Sequence, residues 1–297
     1  MGKRVIALGF FDGVHLGHAT LIERAKQRAA ENNAAPALLT FDVHPDTVVK
    51  GKKVPLLSSP EDRAEIVRHY FGVDEIISIR FDENMMKMPW EDFVDWMVED
   101  FEAVHLVVGY DFGFGYKNEG NPEKLKLKCA QLGIGLDVMP KVEIDGITVS
   151  STYIRTLLEE GRVREANKFL GHPHALTDTV RLGYRLGRKM GTPTANMRFA
   201  EGVLVPAYGV YAARVRIEGE DIYRNAVTNI GIRPTVNGDG AVSVESYILN
   251  YEGNLYGKRI RLEFIDFIRP ERKFSDINEL KEQIKRDAVR ALEILGE

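Results

Sequence analysis

Near residue 172 the hydrophobic pattern of this chain changes period, and that change constrains the fold more than any single motif does. Before it, short apolar runs alternate with stretches of helical periodicity. Val5–Phe11, Ala37–Phe41, Val104–Gly109 and Gly135–Met139 read as strands, with Leu16–Ala30, Pro60–Phe71, Pro89–Phe101 and Pro122–Leu132 as the helices between them. Three of these helices carry Pro near the first turn, where its missing N–H costs nothing. This order predicts an α/β, Rossmann-like domain, a parallel sheet with helices on both faces. Ligands of such sheets sit beyond the carboxyl ends of the strands. After Pro173 the apolar residues alternate instead. Thr177–Leu182, Gly209–Glu218, Ile222–Ile230, Ser243–Asn250 and Arg259–Ile268 read as strands, and Tyr211, Ala213, Val215 and Ile217 fall on one face by period two. Turn residues (237–240 and 252–254) separate them, which predicts an antiparallel barrel or sandwich. A C-terminal helix follows, with Ser275 as N-cap and Ile277, Leu280, Ile284, Ala288, Ala291 and Leu295 on one side. At about 150 residues per domain, 297 residues make two, placed at 1–172 and 173–297.

Charge and cysteine usage narrow the function. Lys and Arg number 40 against 44 Asp and Glu, a net charge of −4, so no broad polyanion-binding surface or nucleic-acid partner is expected. The single Cys129 excludes a disulfide framework and a cysteine-rich metal site, and fits a reducing compartment. No apolar run approaches the roughly 18 residues of a membrane span. Asp12 and His15 interrupt the only stretch resembling a secretion signal, and Ile6 stands where N-myristoylation needs Ser or Thr. A cytoplasmic protein with no membrane partner is the expectation; oligomeric state is not legible.

Two segments of the first half carry phosphate chemistry. GFFDGVHLGH, residues 9–18, lies where the first strand hands over to the first helix. Gly9, Gly13 and Gly17 permit sharp turning and close backbone approach. The helix start beyond them offers free N–H groups and a positive dipole end. His15 and His18, three apart, can project to one side, and two imidazoles there suit phosphate oxygens; a tight turn with two surface histidines is the plain alternative. A zinc site from His15, His18 and His44 lacks a fourth ligand. Ser150-Ser151-Thr152 precedes a helix read as Tyr153–Glu160; with Thr152 as N-cap, Arg155 falls in the first turn, where a cation opposes the helix dipole unless an anion binds. Pairing of an exposed Arg155 with Glu159 is the alternative.

HxGH after the first strand with SSTxIR far downstream resembles the HxGH nucleotidylyltransferases. Within them, GFFDGVHLGH, Thr40–Pro45 and Gly109–Gly115 resemble the FMN adenylyltransferase module of bacterial bifunctional FAD synthetases. The resemblance implies transfer of AMP from ATP to FMN, giving FAD and pyrophosphate. It places ATP phosphates on Gly9, Phe11, His15, Gly17, His18, Ser151, Thr152 and Arg155, with Asp111 at a flavin or nucleotide position. Gly113 stands where the family often has a basic residue.

The second half carries a matching set. Residues 187–196, GRKMGTPTAN, read by themselves as a loop but resemble the GRxLGxPTAN segment of riboflavin kinase modules. Residues 226–236, 255–264 and 267–287 resemble further stretches of that module, so the two resemblances cover nearly the whole chain. They imply ATP contact through Gly191, Thr194 and Asn196, Mg²⁺ on Thr194 and Asn196, flavin contact at Arg269, and Glu245 as the base that takes the ribityl hydroxyl proton. Leu182, Tyr184, Thr192, Tyr247 and Asn250 depart from the family's usual residues. The reading is a two-module enzyme using ATP, riboflavin and FMN as substrates. The alternatives are a monofunctional FMN adenylyltransferase with an inactive barrel and a non-catalytic flavin-binding protein.

Overall fold

The computed structural model describes residues 2–182, 193–233 and 241–296. They divide into two compact units, residues 1–151 and 152–297.

Five strands of the first unit, β1 (Arg4–Leu8), β2 (Ala35–Phe41), β3 (Glu75–Ile79), β4 (Ala103–Gly109) and β5 (Gly135–Met139), form a parallel sheet in the order β3-β2-β1-β4-β5. The helices are α1 (Leu16–Glu31), α2 (Pro45–Lys50), α3 (Pro60–Ile66), α4 (Glu83–Lys87), α5 (Trp90–Glu99) and α6 (Pro122–Leu132), and β6 (Glu143–Ile144) with β7 (Ile147–Thr148) makes a hairpin. Val5 and Ala7 pack with Ile22 and Ala25 of α1 on one side of the sheet, while Ile6 and Leu8 pack with Phe93 and Met97 of α5 and Leu125 of α6 on the other. Burial on both faces explains why β1 and β4 are apolar apart from Arg4 and His105. Each such aliphatic side chain contributes about 1.5–3 kcal/mol. The strand order runs away in opposite directions from β1 and β4, so the crevice beyond their carboxyl ends is the switch point where such sheets hold ligands. Two features escaped the sequence reading. β3 is an edge strand with half-buried side chains and so lacks the two-sided apolar signature. The expected helix over 60–71 changes to a π-turn at Val67–Phe71, ended by Gly72 at φ 65°.

The second unit begins within α7 (Ser151–Glu159), followed by α8 (Val163–Leu170). α8 buries Val163, Ala166, Phe169 and Leu170. Its Asn167 donates through Nδ2 to the carbonyl of Phe264 at 2.8 Å and accepts from the His174 N–H at 2.7 Å. The compact units therefore part near residue 151, whereas the sequence pattern changes near 172. Six antiparallel strands follow: β8 (His174–Thr179), β9 (Thr194–Met197), β10 (Gly209–Ile217), β11 (Tyr223–Arg233), β12 (Ala241–Ile248) and β13 (Arg259–Pro270), in the order β8-β13-β10-β11-β12-β9. Beyond β8, Arg181 donates its N–H to the carbonyl of Asn196 at 2.9 Å, so the two ends of the strand order meet and the sheet curls into a half-barrel. The 194–197 stretch, expected as loop, is thus a strand; it is too short to show alternation.

Tyr211, Ala213, Val215 and Ile217 are buried on the inner face, as their alternation predicts. Val210 and Ala212, on the outer face, are buried as well, because α9 (Ile277–Leu295) lays Ala291 and Leu295 over them. The N-cap of α9 is Asp276, one residue later than expected: its Oδ1 accepts from the N–H groups of Asn278 (2.7 Å) and Glu279 (2.9 Å). Ser275 instead donates its N–H and hydroxyl to Glu279. Ile277, expected on the apolar side, is exposed.

Candidate active sites

The first candidate site lies at the switch point. Between β1 and α1 the chain passes through Phe11 (φ 55°), Gly13 (φ 73°) and Val14 (φ 46°). Two non-glycine residues in the left-handed region, one of them β-branched, cost about 1–3 kcal/mol each. Anchors distant in sequence hold the turn. Buried Asp12 accepts through Oδ1 from the N–H groups of Leu57 (2.8 Å) and Ser58 (3.3 Å), and the Ser58 hydroxyl accepts from the Gly13 N–H at 3.2 Å. His15 caps α1, its Nδ1 accepting from the His18 N–H at 3.3 Å. The two imidazoles lie face to face, ring centroids 3.6 Å apart and ring planes 10° from parallel. Gly17 permits this, since a Cβ there would stand 3.1 Å from the His15 ring. Burial, then His15, then Arg63 push the His18 pKa well below the usual histidine value. Its Nδ1 is buried without a hydrogen-bond partner among the described residues. At neutral pH the turn therefore presents His18 as a neutral imidazole at the positive end of a sixteen-residue helix.

Gly9 donates its N–H to Leu39 O at 3.2 Å, and the Phe11 ring, fully buried, packs 5.1 Å from the His18 ring. Ser151 donates its hydroxyl to Asp12 O at 3.1 Å, so the start of the SSTxIR segment is tied to the HxGH turn across 139 residues. Asp111 is exposed in the loop after β4, whose Phe112 and Phe114 stack together and whose Phe114 packs against Phe93. α7 starts at Ser151, so Thr152 lies inside the first turn and not at the cap position expected for it. Arg155 follows on the same helix, half-buried.

The sequence reading missed Arg63. It is among the largest fully buried side chains. Its Nη1 donates to the Thr40 hydroxyl (2.8 Å) and to Phe41 O (3.2 Å), and its guanidinium lies 4.4 Å over the Phe10 ring. Thr40 in turn donates to Phe10 O at 2.7 Å. Burial lowers the Arg63 pKa while Asp12 opposes the shift. A signal was present: Arg63, Ile66 and Val67 fall at i, i+3 and i+4, so a cation sits on the apolar stripe of α3.

The second candidate site lies on the outer face of the half-barrel. Thr194 and Asn196 alternate onto one side of β9, and the register sets Glu245 directly across from Asn196 and Tyr247 across from Thr194. Thr194 donates its hydroxyl to Glu245 Oε2 at 3.4 Å, and Asn196 donates Nδ2 to Thr194 O at 3.2 Å. Beside them opens a cavity of about 1000 Å³ lined by Thr194, Asn196, Tyr247, Asn250, Tyr251 and Tyr256 among others. Arg269 reaches the same outer face but gives Nε and Nη2 to the buried Asp287 of α9 (2.7–3.2 Å) and Nη1 to Pro270 O (3.0 Å). Gly191, Tyr184 and Thr192 lie outside the described residues.

A doubly wound sheet with a turn bearing two stacked histidines at its switch point, followed by a curled sheet bearing a hydroxyl, an amide and a carboxylate beside a large cavity, fits a two-module phosphate-transferring enzyme. Comparison with known proteins gives the family. The model of FAD synthetase matches residues 1–153, and that of riboflavin kinase matches residues 170–295. The bifunctional riboflavin kinase/FMN adenylyltransferase of Listeria monocytogenes is 38% identical over 287 residues, 96% of this chain and 90% of that one. The Bacillus subtilis protein of the same name is 36% identical over 298 residues, 98% and 92% of the two chains. A Streptococcus pneumoniae crystal structure, described as a macrolide-efflux protein, superposes with a TM-score of 0.85 at 27% identity, covering 97% of this chain and 94% of that one. Among the described residues no helix is long and apolar enough to cross a membrane. The chain belongs to the bifunctional riboflavin kinase/FMN adenylyltransferase family. It is a riboflavin kinase and FMN adenylyltransferase acting on ATP, riboflavin and FMN.

Proposed function

We propose the following division of labour. Residues 1–172 carry FMN adenylylation and residues 173–297 carry riboflavin phosphorylation. In the kinase step the terminal ribityl hydroxyl attacks the γ-phosphorus of ATP, ADP leaves, and the hydroxyl proton passes to Glu245. A neutral alcohol needs such a base, and a carboxylate within hydrogen-bond reach supplies it. In the second step an FMN phosphate oxygen attacks the α-phosphorus of ATP and pyrophosphate leaves. This nucleophile is already ionised, so His15 and His18 act as fixed donors to phosphate oxygens and not as bases. Gly9, Phe11 and Gly17 shape that turn, Ser151 and Thr152 supply hydroxyls, Arg155 supplies a phosphate-binding cation, and Asp111 supplies a polar flavin or nucleotide contact. Gly191 contributes to ATP contact in the kinase step.

Mg²⁺ suits the second unit's donor set. The Thr194 hydroxyl, the Asn196 amide oxygen and the Glu245 carboxylate are hard oxygens on one sheet face, the type this ion takes together with substrate phosphates. Thr194 and Asn196 would hold it, and it would there neutralise phosphate charge. Arg269, engaged with Asp287, contributes to the flavin site by fixing α9 against the sheet. A cytoplasmic location is proposed on the grounds of cysteine usage and composition given above.

The observation that carries the assignment is the register that puts Glu245 opposite Asn196 and within 3.4 Å of Thr194. The test is product chromatography after incubation with ATP and either riboflavin or FMN, each with Mg²⁺ and with chelator. FMN and then FAD from riboflavin, FAD alone from FMN, and neither with chelator are expected. FAD from FMN without any product from riboflavin would remove the kinase half of the proposal.

A further inference from the structure

The outer face of the half-barrel continues the polar row past Glu245. Asn229 of β11 lies directly across from Glu245, as Asn196 does on the other side. Cross-strand neighbours stand about 5 Å apart at Cβ, so Asn196, Glu245 and Asn229 form one line over three strands. Asn229 is half-buried and donates Nδ2 to Glu271 Oε1 at 3.0 Å. Glu271 reaches it because Gly231, two residues along the same strand face, has no side chain: a Cβ there would overlap the Glu271 carboxylate. An exposed glutamate brought over a glycine onto one amide fixes which end of that amide is the donor. The donor end is committed to Glu271, which leaves Oδ1 as the acceptor end of a side chain next to the base.

We propose that Asn229 is a substrate-binding residue that accepts a hydrogen bond from a ribityl hydroxyl other than the one phosphorylated, and that Glu271 is its positioning residue. The inference rests on Glu245 lying at the reacting hydroxyl. A chain of hydroxyls laid along the row places one at the carboxylate and another at the neighbouring amide. A site built to pair a hydroxyl discriminates against an analogue lacking it, because its own polar group is then left unpaired. This gives the kinase a means of selecting the intact polyol chain independently of the flavin ring.

The test uses the purified full chain and follows riboflavin phosphorylation, with KM for ATP in that same reaction as the measure of an intact half-barrel. Asn229→Ala is expected to raise KM for riboflavin by about three- to tenfold, the range of one hydrogen bond, with KM for ATP unchanged. Glu271→Ala and Gly231→Ala, which displaces the carboxylate without removing it, are expected to raise the same KM. Glu271→Gln, whose amide oxygen still accepts from Asn229, restores most of the affinity. The double variant Asn229→Ala/Glu271→Ala shows no loss beyond Asn229→Ala alone. Riboflavin analogues deoxygenated at single ribityl carbons provide the direct reading: one of them binds the parent more weakly than riboflavin does, and Asn229→Ala no longer distinguishes the two. An unchanged riboflavin KM in Asn229→Ala, or equal discrimination by parent and variant, overturns the proposal. Glu245→Gln separates the two readings. Full turnover in it removes the base assignment whatever Asn229 does, whereas its loss of turnover beside an Asn229→Ala of unchanged KM removes only the present inference.

Discussion

In the proposed assignment the two units handle the phosphates of ATP with opposite designs. The first builds its site on a turn in which two non-glycine residues take left-handed backbone angles, held by Asp12 and Ser58 across about 45 residues of chain, and it fills the site with imidazoles. The second builds its site on the regular face of a β-sheet, where register alone sets a hydroxyl, an amide and a carboxylate side by side. The chemistry explains the difference. An ionised phosphate nucleophile needs donors aimed at phosphate oxygens, and a helix start reached by a strained turn supplies them. A neutral hydroxyl needs a base, and a carboxylate on a strand is held rigidly with its neighbours in reach.

The largest expected effect tests this division directly. Glu245→Gln should reduce kcat for riboflavin phosphorylation by on the order of 10²–10⁴-fold while leaving FAD formation from FMN intact; equal loss in both reactions would mean the two sites do not divide the chemistry. His18→Ala is the converse. Loss of one preorganised donor should cost about 2.7–4 kcal/mol, or 10²–10³-fold in FMN adenylylation, with phosphorylation unchanged in steady-state assays.

Acid should sharpen the contrast through stability. His174 is buried in the half-barrel's inner core, its ring stacked near Phe199 and Phe264, and burial holds its pKa down to about 3. Its folded value lies below the unfolded one, so the unfolded chain takes up a proton that the folded chain refuses. The stability of this unit is fully present above the unfolded value near 6.5 and falls as pH drops from there toward about 3. Thermal melts followed by tyrosine circular dichroism should show that fall, and His174→Phe should flatten it. Tryptophan fluorescence reads the other unit, because Trp90 and Trp96 both lie there. A His174→Phe slope identical to the parent's would assign the acid sensitivity elsewhere. The smallest effect concerns Arg63, whose charge is one cause of the low His18 pKa. Arg63→Met should raise the His18 pKa, by less than burial lowers it, in an NMR titration of that imidazole.

What the sequence disclosed depended on how locally each feature is determined. The helix Pro122–Leu132 and the strand Gly135–Met139 are readable to the residue, because Asn121 caps the helix and Gly133, at φ 68°, ends it. The HxGH turn is readable as a motif for the same reason, its glycines and histidines being contiguous. Its supports are not: Asp12, Ser58, Thr40 and Arg63 acquire meaning only when β1, β2 and the loop before α3 come together. In the half-barrel, Thr194, Asn196 and Glu245 are readable by resemblance, but Asn229 and Glu271 join them through register and a glycine's empty space, neither of which is visible along the chain. The α9 cap falls one residue later than expected because Ser275 and Asp276 are both good caps, and it is the Asp276 carboxylate that reaches the N–H groups of Asn278 and Glu279.

β9, the four-residue strand at the end of the sheet order, has a consequence for how the kinase meets its substrates. A short terminal ladder is the part of a sheet that opens most readily, by local fraying at free energies well below that of global unfolding. The amides of 194–197 should therefore exchange with deuterium faster than those of β10, which is paired along both sides. Occupancy of the site should slow them by the margin that binding adds. Saturation becomes visible as amide protection, and a ligand that reaches the cavity without engaging Thr194 and Asn196 would be recognised by leaving that exchange unchanged.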